Sequence, residues 1–188
     1  MLKVFILLVS TFFFLGCAHH QAMQEINNSS SEQNKTDEKD LLFPNGLYHQ
    51  KIRVVYEKEQ RQEDHEFNGL LKKHTDEVIL YSYAGFGISL FKLKDNMKGV
   101  VEFSTTQEKI EKNKEFFMKI YPIMKEILFL KKDDPRIQGH YINLFMEPQH
   151  FPIHVSWSEE VLGGAPLNLK IENAPHFQFL VTTTEFSP

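Results

Sequence analysis

Cys17 carries the most reactive side chain in the sequence, and it is the sole cysteine among the 188 residues. A cysteine thiol can form a disulfide, bind a metal ion or accept an acyl group. Because a lone thiol cannot form an internal disulfide, its surroundings must indicate its chemistry. Cys17 follows Lys3, an apolar run over residues 4–15 and the small residue Gly16.

This arrangement is typical of a bacterial secretory signal, which has a charged start, a short apolar segment and a small residue before the cleavage site. The residues Phe14-Leu-Gly-Cys17 also resemble the lipobox of bacterial lipoproteins, with Phe14 in place of the usual aliphatic residue. We therefore expect residues 1–16 to be a lipoprotein signal peptide and Cys17 to be lipidated. An ordinary cleaved export signal is the alternative, whereas a transmembrane anchor needs about 20 apolar residues.

Other residues that could do chemistry lack the required spacing. His150 and His154 on one face of a strand would lie about 13 Å apart, at roughly 3.3 Å per residue, which is too far to share a zinc ion. Gly85-Phe-Gly87 begins like a dinucleotide-binding motif but lacks its third glycine, and no nucleophile elbow is present. The sequence predicts no catalytic residue, no metal site and no cofactor, and a protein that is not an enzyme.

Charge and composition define the organisation of the chain. The net charge is −4 without a block of basic residues, so no nucleic-acid partner is expected. Residues 21–40 are rich in Asn, Ser, Glu and Lys and cannot bury enough apolar surface to fold. We expect residues 17–40 to be the acylated cysteine with a flexible tether, and residues 41–188 to form one domain whose core needs no disulfide.

Apolar and polar residues alternate over most of this domain, as in half-buried β-strands. The alternation predicts five strands over residues 47–103 and three or four over residues 151–181. Short turns such as Gln62–Asp64 and Tyr83–Gly87 separate the strands, which favours antiparallel pairing.

Between residues 105 and 130 the apolar residues recur with the period of a helix. Thr105 and Glu108 have the spacing of a capping box. Because proline lacks an amide proton, we expect Pro122 to divide the segment into helices over 106–121 and 122–130. The predicted fold class is α+β, a curled antiparallel β-sheet forming an incomplete barrel, with the helical insert covering its concave face.

The segment Val78–Leu93 is similar to the corresponding region of the LolA/LolB superfamily, and most of residues 47–186 resembles LolB-like outer-membrane lipoproteins. LolB has a strand, a Pro-Leu-Gly turn and a second strand there, and this sequence has Gly85-Phe-Gly87 between its two strands. Thr105–Lys109 and Tyr121-Pro-Ile123 resemble the helix of that family and its proline. The resemblance implies a half-barrel around an apolar cavity, with Phe86 as a protruding tip that contacts a membrane or partner. The alternative for Phe86 is a ring folded back onto the sheet as part of the core.

The cavity candidates are apolar positions on the expected inner sheet face and on the helices. Their alternative interpretation is ordinary core packing. They are Leu80, Leu90, Phe117, Ile127, Val155, Trp157, Leu169 and Phe179.

Together these features predict a lipid-anchored periplasmic binding or carrier protein of the bacterial outer membrane, holding an acyl chain or similar amphiphile for lipoprotein or lipid delivery. Its expected partners are the membrane through Cys17, a lipid or lipoprotein acyl chain, and a periplasmic carrier protein. The alternative is a structural or assembly lipoprotein whose filled interior supports a protein-binding surface. A cavity of several hundred cubic ångströms would favour the first function.

Overall fold

The structure, a computed structural model, describes residues 40–58, 61–146, 151–173 and 177–188. The predicted signal peptide, the lipidation site Cys17, nearly all of the tether and His150 lie outside these ranges, so the interpretations that rest on them remain predictions. Within these ranges, no helix has the length and apolar character needed to cross a membrane.

Nine strands form one sheet in the order β5-β4-β3-β2-β1-β11-β10-β7-β6, and neighbouring strands pair antiparallel throughout. Strands β8 and β9 form a separate two-stranded sheet. The bounds are β1 Gly46–Lys58, β2 Arg61–Lys73, β3 Val78–Tyr83, β4 Ser89–Asp95, β5 Val101–Ser104, β6 Tyr141–Met146, β7 Phe151–Trp157, β8 Val161–Leu162, β9 Ala165–Pro166, β10 Asn168–Asn173 and β11 Phe177–Ser187. Since the edge strands β5 and β6 do not pair with each other in the described ranges, the sheet is not a closed barrel.

The predicted alternation accounts for which face of the sheet is buried. Ile52 and Val54 of β1 are buried, and so are Phe177, Phe179 and Val181 of β11. Side chains two residues apart point to the same face of a strand, so these residues form one apolar surface. The prediction of antiparallel pairing is confirmed.

Two details of the strands differ from the predictions. The turn predicted at Gln62–Asp64 is wrong, because these residues lie within β2 and pair with β1 from Val55 to Glu57. Their side chains are polar because this end of the hairpin lies in solvent. In the sequence, such a run of polar residues resembles a turn. Strand β6 was not predicted, although its Ile142 and Leu144 alternate with exposed residues and are buried.

The helical segment also divides at a different place. Helix α1 spans Glu108–Glu111 and helix α2 spans Lys114–Leu128, so the predicted break at Pro122 is wrong. Pro122 lies on the exposed side of α2, where water can solvate the carbonyl that loses its amide partner. The predicted capping box is absent, because Thr105 instead donates its hydroxyl to the Leu90 carbonyl.

Helix α2 packs against one face of the sheet through a broad apolar side. Its buried residues belong to the same core cluster as the inward-facing residues of the strands. They are Ile120, Tyr121, Ile123, Ile127 and Leu128.

A buried carboxylate fastens α2 to the end of β4. Asp95 is fully buried and accepts hydrogen bonds of 2.8 Å from the Tyr121 hydroxyl and from Lys125 Nζ. Burial alone would raise the pKa of Asp95, but the hydrogen bonds from Lys125, Tyr121 and the Met97 amide outweigh it and hold the pKa below its ordinary value. Asp95 therefore stays ionised at neutral pH and holds α2 against the end of β4.

Candidate ligand cavity

A cavity of about 470 Å³ lies between the sheet and the helices. Its sheet side is formed by β1, β2 and β4, and its other side by α1 and the start of α2. The lining is largely apolar and aromatic. The apolar and aromatic members are Val54, Tyr56, Phe67, Ala84, Leu90, Phe91, Ile110, Phe116 and Phe117.

Phe116 and Phe117 bring the helix into contact with both halves of the sheet. The Phe117 ring lies 4.8 Å from Phe91 of β4, measured between centroids. The Phe116 ring lies 6.1 Å from Tyr56 of β1 and 6.2 Å from Phe177 of β11. Adjacent helical residues point about 100° apart, so this pair can reach different strands.

Polar residues form a border to the cavity on both its sheet side and its helix side. Asp64, His65, Glu66, Lys109 and Asn113 contribute to its lining. The border carries two carboxylates and one ammonium group, and Arg53 next to Asp64 offsets one of the carboxylates, so the charges near the cavity are close to balanced.

Two polar interactions organise this border. Arg53 Nη2 lies 2.6 Å from Asp64 Oδ2, and this hydrogen bond lowers the pKa of Asp64. The Tyr56 hydroxyl lies 3.4 Å from His65 Nε2, and the two rings stack with centroids 5.8 Å apart. Burial, with a smaller contribution from the Glu63 carboxylate, raises the pKa of Tyr56, so its hydroxyl stays protonated at neutral pH.

Phe86 stands at the tip of the turn between β3 and β4. Its side chain is 101% exposed, and its backbone adopts φ 60° and ψ 20° within the short 3-10 turn Gly85–Gly87. Ala84 and Leu90, which lie on either side of this turn, both line the cavity. The structure therefore places the predicted tip next to the cavity, while its contact with a membrane or partner remains a prediction.

The structure separates the eight cavity candidates into three groups. Leu90 and Phe117 line the cavity. Trp157 and Leu169 line a second concavity of about 410 Å³ formed by β7, β10 and β11. The remaining four are buried core residues that line neither space, with exposed fractions of 0–5%: Leu80, Ile127, Val155 and Phe179.

Several lining residues were not among the candidates. Val54 and Tyr56 were recognised as one face of β1, but Phe67, Phe91 and Phe116 carried no separate signal beyond their aromatic character. The adjacent Phe116 and Phe117 were the available clue, because two neighbouring aromatic residues widen the apolar face of the helix beyond a single row.

The described residues contain no group of three or more His, Cys, Asp or Glu side chains that could hold a metal ion. His154, which was considered as a ligand, has Nδ1 at 3.0 Å from Asn143 Oδ1 and its ring centroid 5.2 Å from that of Tyr141. The contacts with Asn143 and Tyr141 account for the position of the His154 side chain on β7.

No family model and no curated protein matches the chain. One similar solved structure is a LolA superfamily protein from Nitrosomonas europaea, with a TM-score of 0.42 and 7% sequence identity over 80% of this chain and 89% of that one. The likeness is distant. It does not assign this chain to a family.

Proposed function

We propose that this chain is a lipid-anchored protein of the bacterial outer membrane that faces the periplasm and holds an acyl chain or similar amphiphile in its interior. It acts by binding and delivery, without catalysis or a cofactor. Its partners are the membrane that holds acylated Cys17, the lipid or lipoprotein it carries, and a periplasmic carrier that supplies this cargo.

The cavity between the sheet and the helices is the observation that carries this proposal. Its volume of about 470 Å³ falls within the range of small-molecule binding sites. Its lining is mostly aliphatic and aromatic, so an apolar chain would be shielded from water there. A purely structural lipoprotein would need no such space, which favours the carrier over the assembly protein.

The contacts of α2 support a sheet that curls around the helices. Helix α2 contacts β4 through Phe117 and also lies against β6, which is seven strands further along the sheet order. Seven strand spacings span about 33 Å in a flat sheet, whereas the 15 residues of α2 extend over only about 22 Å even along the helix axis. We infer that the sheet curves toward α2 and that the helices occupy its concave side, as in an incomplete barrel.

Phe86 supports a contact with lipid or a partner beside the cavity. An exposed aromatic ring leaves apolar surface in water, and a positive φ costs a non-glycine residue roughly 1 kcal/mol or more. Both costs fall on one residue, which indicates a role other than folding. The tip can enter an apolar surface and place the adjacent cavity at the point where the ligand is transferred.

A fluorescent acyl probe tests the proposal on the full chain. The wild type should bind the probe at one site, and Ile110→Trp should weaken binding at least tenfold, since Ile110 lines the cavity on α1 and a larger ring would occupy the space. Val161→Trp is the matched control, because Val161 is 63% exposed and does not line the cavity. Equal probe binding by both variants would contradict the proposed site.

A further inference from the structure

A buried hydroxyl behind the cavity lining bears on the chemistry of the ligand. Ser82 of β3 is fully buried, and among the described residues its oxygen is the one buried side-chain nitrogen or oxygen atom that lacks a hydrogen-bond partner. Buried polar atoms are nearly always paired, so this exception needs an explanation. We propose that Ser82 binds a neutral oxygen atom carried by the apolar part of the ligand. This inference rests on the proposed function and specifies its ligand class.

The register of the sheet places Ser82 beside the cavity. Side chains two residues apart share a face of a strand, so Ser82 lies on the same face of β3 as the core residue Leu80 and the cavity residue Ala84. Ser82 pairs with Phe91 of β4, which lines the cavity, and with Gly69 of β2, which has no side chain. The hydroxyl therefore lies directly behind the cavity lining.

Two rings of the cavity lining meet across this part of β3. The centroids of Phe67 on β2 and Phe91 on β4 are 6.1 Å apart, although β3 lies between their strands. Two strand spacings measure about 9.6 Å, so the rings lean toward each other across β3. The small side chains of Ser82 and Ala84 leave room for this contact. A ligand atom reaches the hydroxyl where these two rings move apart.

The surroundings of Ser82 favour a neutral partner over a charged one. A serine hydroxyl has one donor hydrogen and accepts through its oxygen, so it can pair with a carbonyl or with another hydroxyl. Its neighbours Phe67, Ala84 and Phe91 carry no charge that could balance a carboxylate or a phosphate. Burying an unbalanced charge costs far more free energy than burying a neutral oxygen that is hydrogen-bonded.

The position of Ser82 also separates it from the polar border on the sheet side. Ser82 is level with Gly69 of β2, whereas Asp64 and Glu66 lie three to five residues further along β2. That separation is roughly 10–17 Å at about 3.3 Å per residue. A polar head held beside these carboxylates does not reach Ser82. The oxygen must therefore belong to the inserted part of the ligand, either as the carbonyl of an acyl linkage or as a hydroxyl on the chain.

Lipids with a glycerol head and one chain of a fixed length test this inference on the full chain, produced without acylation. The first is a monoalkyl glycerol ether, the second is the corresponding monoacylglycerol ester, and the third is a set of the same ethers with one hydroxyl at successive chain positions. Calorimetric titration below the micelle concentration gives each affinity. We expect the ester or one hydroxylated ether to bind about tenfold more tightly than the plain ether, because it supplies the missing partner of Ser82. The tighter of the two identifies the source of the oxygen.

Ser82→Ala separates ligand binding from a structural role. This variant should bind every lipid with the affinity that the wild type has for the plain ether. Its melting temperature without ligand should equal or exceed that of the wild type, because the substitution removes a buried hydroxyl that has no partner. Ser156→Ala is the matched control, because Ser156 lines the second concavity and not this cavity, and it should keep the preference.

The outcomes distinguish this inference from the proposed function. A lower melting temperature of Ser82→Ala without ligand would show that the folded protein or a bound water already satisfies the hydroxyl, and would overturn the inference. Equal binding of all the lipids by the wild type, or a preference that survives in Ser82→Ala, would also overturn it and leave the proposed function in place. If the wild type bound none of these lipids and no fluorescent acyl probe, the proposed function itself would be wrong.

Discussion

Phe86 concentrates two unfavourable features in one residue. Its ring is 101% exposed and its φ is 60°. The flanking glycines Gly85 and Gly87 would meet no atom within 4 Å if a Cβ were added, so the turn stands clear of the rest of the protein. The position is therefore accessible to a flat surface such as a membrane.

Phe86→Glu should abolish transfer of lipid to vesicles and leave the free energy of unfolding within about 0.5 kcal/mol of the wild type, because an exposed residue has no packing to lose. Phe86→Asn should lose transfer and be at least as stable, since asparagine tolerates a positive φ better. Val161→Glu, at another exposed apolar residue, is the control that should keep transfer. A fall in stability of about 3 kcal/mol in Phe86→Glu would show that the ring is core.

The charge of Asp95 holds α2 against the end of β4. Asp95→Asn should lower the free energy of unfolding at pH 7 by about 3 kcal/mol, because Lys125 and the Tyr121 hydroxyl lose a buried ionised partner. Asp133→Asn, at an exposed carboxylate, should have little effect. Urea unfolding measures both variants.

The lowered pKa of Asp95 also makes the free energy of unfolding depend on pH. Its stabilising contribution is fully present above the unfolded pKa of about 4 and is lost as the pH falls through the lower folded pKa. The difference in stability between wild type and Asp95→Asn should therefore narrow in acid. A constant difference between pH 7 and pH 2 would contradict an ionised Asp95.

Helix α2 continues through Pro122. The flanking residues Ile120, Tyr121 and Ile123 are all buried, so packing retains a helix that the proline alone would interrupt. Pro122→Ala should restore a backbone hydrogen bond and raise the free energy of unfolding by about 1–3 kcal/mol. Thermal unfolding measures the change, and a lower melting temperature would show that the proline is required for the packing of α2.

The sequence predicted elements better than it predicted their ends. Alternation identified β1 and β11 because each has one buried and one exposed face, which fixes the period at two residues. The start of β2 was missed, because Gln62–Asp64 lie in a solvent-exposed part of the sheet and have no apolar face. The helices α1 and α2 are separated at Lys112 and Asn113, and neither residue predicts a helix break as strongly as Pro122 does.

The cavity depends on how distant segments of the chain lie against one another, which no local sequence pattern contains. Leu80 and Leu90 are both apolar residues of neighbouring strands, yet Leu80 is core and Leu90 lines the cavity. The difference arises from strand register and from where α1 ends and α2 begins. Sequence periodicity predicts which face a residue occupies, but not whether a helix covers that part of the face.

The predicted attachment to the membrane depends on Cys17. Cys17→Ser should release the protein from membranes, since acyl chains contribute ~0.8 kcal/mol per buried methylene group to bilayer binding. Fractionation of cells with a carbonate wash measures the release, and Ser10→Ala is a control within the leader that keeps the cysteine. If the Cys17→Ser protein stayed in the washed membrane fraction, the lipid anchor would be wrong.

The most direct test of an acyl-binding interior is native mass spectrometry of the full chain, produced without acylation and purified without added lipid or detergent. The account predicts a bound species of lipid mass at one copy per protein in the wild type and in Val161→Trp, and its loss in Ile110→Trp. A wild-type spectrum showing protein alone, from a folded sample that also fails to take up added acyl chains, would contradict it.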